Sequence, residues 1–259
     1  MKIQWLASLM FIAFFGFTAQ AECTTQVELN QVIGPASLDL LQRAQKFSER
    51  EGCGSILLLV NTPGGSLDTT RSIVQLILNS PRPFLCLVAP SGGHAGSAGA
   101  IILQACHVNG ALNGTNLGAA TPVAMGQDLP KDLREKIVND TVSWLDSLTK
   151  LRGRSTSFGK EIILNAKAFS EIDAYNAKAI DFSGGTTLDF MQFANDRTVT
   201  LDSNNKVNVK TGDLKVFPLD LRYKVLAICT DPELEVKEGD SHGRCQQGRK
   251  AQSHSHHRR

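Results

Sequence analysis

Two glycine-rich loops hold the residues best suited to chemistry. The first, Thr62-Pro63-Gly64-Gly65-Ser66, follows a continuous apolar run, and its glycines let backbone approach a ligand with no side chain in the way. Its amide N–H groups stand at a helix start, where they can face a developing negative charge. The second, Gly92-Gly93-His94-Ala95-Gly96-Ser97-Ala98-Gly99, sets a serine at another helix start between small residues. A nucleophilic serine needs an exposed Oγ, room for the acyl carbon and a backbone N–H just after it. Each loop also has a plainer reading: a strand-to-helix turn for the first and a serine N-cap for the second. Placed on successive strands, the two read together as oxyanion donor and nucleophile.

A serine also needs a base. Before residue 242 the histidines are His94 and His107. His107 lies ten residues beyond Ser97 along one helix, about 15 Å away by helical rise, which is too far. His94 lies in the loop itself, in a cramped position. A Ser-His-Asp triad is therefore disfavoured. A lysine can serve instead when burial lowers its pKa enough to leave it neutral. Lys136, beside Ile137 at the edge of an apolar stripe, is the lysine of most interest, against the plain reading of a solvated helical side chain.

The elements that must position these residues alternate. Val27–Val32 reads as a strand and Ser37–Arg50 as a helix; Ser55–Asn61 is a buried strand, Leu67–Leu78 an amphipathic helix, and Pro83–Val88 the next buried strand. An Ala-rich helix follows from Ser97 to Cys106. Pro130–Leu151 is a longer helix with a predicted buried stripe of Leu133, Ile137, Thr141, Trp144/Leu145, Leu148 and Leu151. Ser170-x-x-Asp173 opens another helix, running to Ala179, as a capping box. From about Leu188 the pattern turns to short β-like pieces such as Arg197–Leu201 and Lys206–Lys210, and the final structured piece is Leu219–Glu233. Alternation of this kind predicts an α/β fold with a parallel sheet covered by helices.

The 259 residues are 42% hydrophobic and 20% charged, a globular profile that excludes collagen, coiled coil and polytopic membrane protein. The net charge of +2 is uneven: residues 22–235 carry 20 basic and 23 acidic side chains, so nothing in the body points to nucleic acid. Lys2, the apolar stretch Trp5–Phe17 and Thr18-Ala19-Gln20-Ala21 read as a cleavable secretory signal over residues 1–21. Glu22 before Cys23 argues against a lipoprotein. Export permits disulfides, yet Cys23, Cys53, Cys86, Cys106, Cys229 and Cys245 show neither paired spacing nor metal-ligand spacing. No pairing is predicted, and Cys86 and Cys106 read as buried thiols. Residues 236–259 form a basic tail without large apolar residues, predicted to be disordered. The domains expected are thus a signal peptide (1–21), a catalytic domain (22–187), its small β-rich extension (188–235) and the tail.

At these residues the sequence resembles the N-terminal domain of the NfeD-type, stomatin-operon serine proteases of the ClpP/crotonase-like class. The similarity runs over roughly residues 25–235. Its carriers are Asn61-Thr62-Pro63-Gly64-Gly65, the Gly-Ser-Ala-Gly at 96–99, Leu117-Gly118-Ala119-Ala120-Thr121-Pro122-Val123, Lys136-Ile137-Val138-Asn139-Asp140, Arg152-Gly153-Arg154 and Asp231-Pro232. The resemblance implies a spiral of parallel strands flanked by helices and a Ser-Lys endopeptidase. Ser97 would be the nucleophile, Lys136 the general base, and the N–H groups of Gly64 or Gly65 and of Ala98 the oxyanion hole. It implies no metal or cofactor, a homodimer, and cleavage of apolar segments, notably in a stomatin-like membrane protein. Gly96 stands where the family often has alanine. Full-length relatives continue past the Asp-Pro into membrane helices and a small β-barrel, whereas Leu234-Glu235 leads here into the charged tail. Two expectations follow, a short soluble member or a chain that has lost its membrane part.

The predicted protein is therefore an exported serine endopeptidase, periplasmic or otherwise extracytoplasmic, with membrane association through a partner or an uncleaved leader. The alternative keeps the fold but makes it a non-proteolytic binding or scaffold partner of a stomatin-like membrane protein. An acyl-CoA-handling crotonase fits the backbone oxyanion donors but not export, since CoA esters are cytosolic. A peptidase of spent leader peptides differs mainly in substrate.

Overall fold

The structure is a computed structural model that describes residues 22–123, 130–201 and 205–219. The leader, the tail, Cys229, Cys245 and most of the piece predicted over Leu219–Glu233 lie outside the described residues. The first half of the chain runs β1 (Cys23–Leu29), α1 (Pro35–Glu51), β2 (Ser55–Val60), α2 (Leu67–Leu78), β3 (Phe84–Val88), β4 (His94–Gly96), α3 (Ala98–Ala105), β5 (Val108–Ala111) and β6 (Asn116–Gly118). Then come α4 (Lys131–Leu151), α5 (Thr156–Leu164), β7 (Ala168–Ser170), α6 (Glu171–Asn176), β8 (Phe182–Ser183), α7 (Thr187–Ala194), β9 (Thr198–Thr200), β10 (Lys206–Asn208) and β11 (Asp213–Val216).

Six strands form one all-parallel sheet in the order β11-β1-β2-β3-β5-β8. The central strands SILLLV and FLCLV are apolar throughout because both faces are covered. Side chains alternate between two cores: Ile56, Leu58 and Val60 pack with α1, α2 and α3 residues, while Leu57, Leu85 and Leu87 pack with Phe190 and Met191 of α7. A second, three-stranded sheet, β4-β6-β7, stands beyond the carboxyl ends of β2 and β3. It carries the serine loop. The α/β fold with a helix-flanked parallel sheet is as expected.

Several local expectations change. The first strand lies earlier than Val27–Val32, so Val32 and Ile33 are free to shape a loop. Residues 187–194 are a helix, capped by Thr186 and Asp189, where a β-like stretch was expected. In α4, Leu133 is 44% exposed and Leu151 55%; burial of the stripe is confined to Thr141, Leu145 and Leu148, where the helix crosses the core.

The cysteine expectation is corrected as well. Cys23 pairs with Cys53 and Cys86 with Cys106. The first pair joins the start of β1 to the turn between α1 and β2; the second ties β3 to the end of α3. Both pairings join neighbouring elements across 30 and 20 residues of sequence, a closeness that spacing along the chain does not reveal.

The end of α3 is held by a buried cation. Arg154 reaches the carbonyls of Leu103, Gln104 and Cys106 and pairs with Asp181 at 2.7 Å. Beside it, His107 accepts the Phe84 N–H on Nδ1, so its proton sits on Nε2. Burial, with the charges of Arg152 and Arg154, pushes this imidazole down to about 3 from its ordinary 6.5. Two outcomes are expected. Arg154→Met removes the cation from three carbonyls and a carboxylate, of which Leu103 O and Asp181 Oδ2 keep only their bonds from Asn109, and urea unfolding should show a loss of about 3 kcal/mol or more; a loss below about 1 kcal/mol contradicts this role. For His107, unfolding takes up a proton between pH 6.5 and about 3, so the stability due to the neutral ring is full above pH 6.5 and falls as pH drops. His107→Gln should flatten the stability-against-pH curve across that window, and an unchanged slope contradicts the burial assignment.

Candidate active site

The turn after β2 is stapled on both sides. Thr62 donates from Oγ1 to the Gln31 carbonyl at 2.6 Å and accepts the Gly64 N–H at 3.2 Å on the same oxygen. Its backbone pairs with β4: Thr62 N–H donates to His94 O and Gly96 N–H to Thr62 O. The Ile33 N–H donates to Gly64 O and the Ser66 N–H to Ile33 O, a parallel bridge at Gly65 that turns the Gly65 N–H to the opposite side. Both glycines are needed. Gly64 has φ +115° and Gly65 +154°, and a Cβ on Gly64 would lie 2.6 Å from the Ser97 Cβ.

Ser97 sits at the junction of β4 and α3 with φ +47° and ψ −111°, a conformation that L-residues rarely adopt. Its N–H donates to Gly118 O on β6 at 2.7 Å, and its carbonyl accepts from Ala100 and Ile101 in the first turn of α3. The geometry is a sharp strand-to-helix turn that lifts the hydroxyl out of the sheet. Among the described residues, Ser97 Oγ has no hydrogen-bond partner, and neither the Gly65 nor the Ala98 N–H is taken by a carbonyl. The Ala98 amide is free for a simple reason: the first N–H groups of a helix have no partner within it.

These groups face a cavity of about 790 Å³, within the range of small-ligand and peptide-binding clefts. Its walls are apolar, including Ile33, Leu67, Ile101, Ala120, Val123 and Ile137. The other hydroxyls of the lining are spent on backbone: Ser66 caps α2, Thr70 donates to Ser66 O, and Thr121 donates to Ile163 O. Segment 119–123 forms one wall, anchored by Ala119 N–H to Lys167 O and Ala120 N–H to Ile162 O.

The structure thus brings Ser97, Ala98, Gly64 and Gly65 together at one cavity. It does not bring Lys136 to Ser97. Lys136 is exposed on the second turn of α4, where Ile137 and Val138 are half-buried and the other residues before Thr141 are exposed. Helical geometry explains this: Arg134 and Ile137 line the cavity, and Lys136 is turned about 100° from Ile137 and 160° from Arg134. His94 is exposed on β4 outside the lining, and His107 is buried at the opposite ends of the strands. The sequence reading missed Arg134 and the wall made by residues 32–35. Among the described residues no group of three His, Cys, Asp or Glu side chains could hold a metal ion.

No family profile matches the chain. Among curated proteins it is similar to the membrane-bound protease PH1510 of Pyrococcus horikoshii, 23% identical over 236 residues. That alignment takes in 88% of this chain and 53% of the relative, so the chain spans about half the relative's length. Among solved structures it is similar to the 1510-N membrane-bound stomatin-specific protease. A lysine-to-alanine mutant in complex with a substrate peptide superposes with a TM-score of 0.73 at 20% identity, covering 82% of this chain and 99% of that one. A serine-to-alanine mutant gives 0.70 at 21% identity, covering 77% and 99%. The chain therefore shares the fold of this archaeal protease domain, the kind of relative to which the sequence resemblance points.

Proposed function

We propose that the chain is a serine endopeptidase that cleaves apolar segments, with Ser97 as nucleophile, Lys136 as general base, and the amides of Gly65 and Ala98 as oxyanion donors. The observation that carries the reading is Ser97: a hydroxyl on a left-handed turn at an apolar cavity that, among the described residues, has no hydrogen-bond partner, with amides beside it that no carbonyl takes. Gly64 has the different task of proximity, since its own N–H is engaged by Thr62 and only its missing side chain lets the turn meet Ser97. In the reaction, neutral Lys136 takes the Ser97 proton as Oγ attacks the peptide carbonyl. The oxyanion collects hydrogen bonds from the backbone, the lysine returns the proton to the leaving amine, and water hydrolyses the acyl-enzyme. Lys136 neighbours Ile137 on the cavity wall, and its long side chain must swing over that residue.

The relative's name points to a stomatin-like membrane protein as substrate, and the apolar lining suits such a segment. The two disulfides fit an exported chain in an oxidising compartment. Among the described residues no helix is long and apolar enough to cross a membrane. Membrane association through a partner or an uncleaved leader is part of the proposal. A homodimer, as the resemblance implies, completes the reading. The second reading, a non-proteolytic partner of a stomatin-like membrane protein, draws on one observation, the exposure of Lys136 away from the cavity.

Cleavage of apolar peptides by the full chain, with cut sites read by mass spectrometry, tests the proposal. Ser97→Ala should reduce turnover to background, and Lys136→Ala should lower kcat by about 10²–10⁴-fold. Gly64→Ala should cost about 10²-fold by displacing the serine. Turnover that survives Lys136→Ala but not His94→Ala would move the base to His94. Absence of turnover over a broad apolar set would favour the scaffold reading.

A further inference from the structure

We propose that Arg134 is a specificity-determining residue that binds a carboxylate of the substrate at the rim of the apolar cleft. The inference rests on the protease reading of the site and adds to it a charge preference. Of the described residues lining the cavity, Arg134 is the one with a formal charge. Among the described residues its guanidinium has no hydrogen-bond or ion-pair partner, as for Lys136 on the same helix and unlike Arg71, which pairs with Asp140, and Lys131, which pairs with Glu135. The helix offers it no internal partner, because the residues three and four away are Pro130, Lys131, Ile137 and Val138.

Once the hydroxyls tied to backbone are set aside, two polar side chains of the lining remain unspent: Ser97 and Arg134. Ser97 has the reacting centre to serve. Arg134 presents a planar fork of donors suited to a carboxylate, next to apolar walls that weaken competition from water. The partner chemistry is therefore an apolar peptide segment bearing one carboxylate at its end. That group is supplied either by an Asp or Glu side chain or by the peptide C-terminus.

Binding to the full chain carrying Ser97→Ala, so that no peptide is consumed, gives the test. The probes are fluorescein-labelled octapeptides of Val, Leu and Ile whose last residue is Glu-amide, Gln-amide, Lys-amide or Gln with a free carboxylate. Peptides with a carboxylate should bind about tenfold more tightly than Gln-amide. The advantage should shrink in 0.5 M salt, as a rim ion pair is screened. Adding Arg134→Ala should bring the ratio near one, and Arg134→Glu should favour Lys-amide, a reversal that a merely structural role would not give. Preference for Glu-amide over the free carboxylate identifies a side chain as the source, and the opposite order identifies the C-terminus. Equal affinities for all four peptides, no binding by any, or a preference unchanged in both Arg134 variants overturns the proposal. Cleavage by the unmutated chain is scored separately: a binding preference without turnover removes the protease reading and leaves the Arg134 assignment standing.

Discussion

Between the turn that ends β2 and the serine that begins α3 there is no room for a side chain. A Cβ on Gly64 would fall 2.6 Å from the Ser97 Cβ, and one on Gly65 would fall 2.2 Å from the Ile33 carbonyl oxygen. The approach is held by hydrogen bonds on both flanks, Thr62 to Gln31 and β4, and Gly64 and Ser66 to Ile33. That contact places the backbone amides and the hydroxyl on one cavity. The parallel sheet exists beneath it to deliver two strand ends side by side, since in such sheets the crevice beyond the carboxyl ends is where ligands bind.

The strain at Ser97 belongs to the same arrangement. A non-glycine residue at φ +47° costs on the order of 1–3 kcal/mol, and it persists only where the surroundings over-determine it. Here the Ser97 N–H is pinned to Gly118, its carbonyl is committed to the first turn of α3, and α3 is buried along its whole length. The far end of α3 is fixed in turn by Arg154 and by the Cys86–Cys106 bridge. A helix clamped at both ends transmits a fixed orientation to the serine.

Much of this was legible in the sequence, and the reason is local. Continuous apolar runs marked β2 and β3, and α2 spans the residues its periodicity indicated. The two glycine loops stood out because backbone crowding demands glycine. What escaped depended on contacts between distant segments. The pairing of Cys23 with Cys53 and of Cys86 with Cys106 comes from sheet topology. The helical character of 187–194 comes from Phe190 and Met191 packing on the face formed by Leu85 and Leu87. The orientation of Lys136 escaped because apolar spacing predicts a buried stripe without saying where along a 21-residue helix the core ends. Arg134 was passed over for a related reason: only the cavity shows that an exposed arginine is also a wall.

The central claim is that the strained, unpartnered Ser97 hydroxyl is a nucleophile activated by its setting. Incubation of the folded chain with a fluorophosphonate, followed by mapping of the adduct by mass spectrometry, tests it without a known substrate. The account predicts a single adduct on Ser97 while the other serines of the lining, such as Ser66, stay unmodified. No adduct, or labelling spread over several exposed serines, would contradict it.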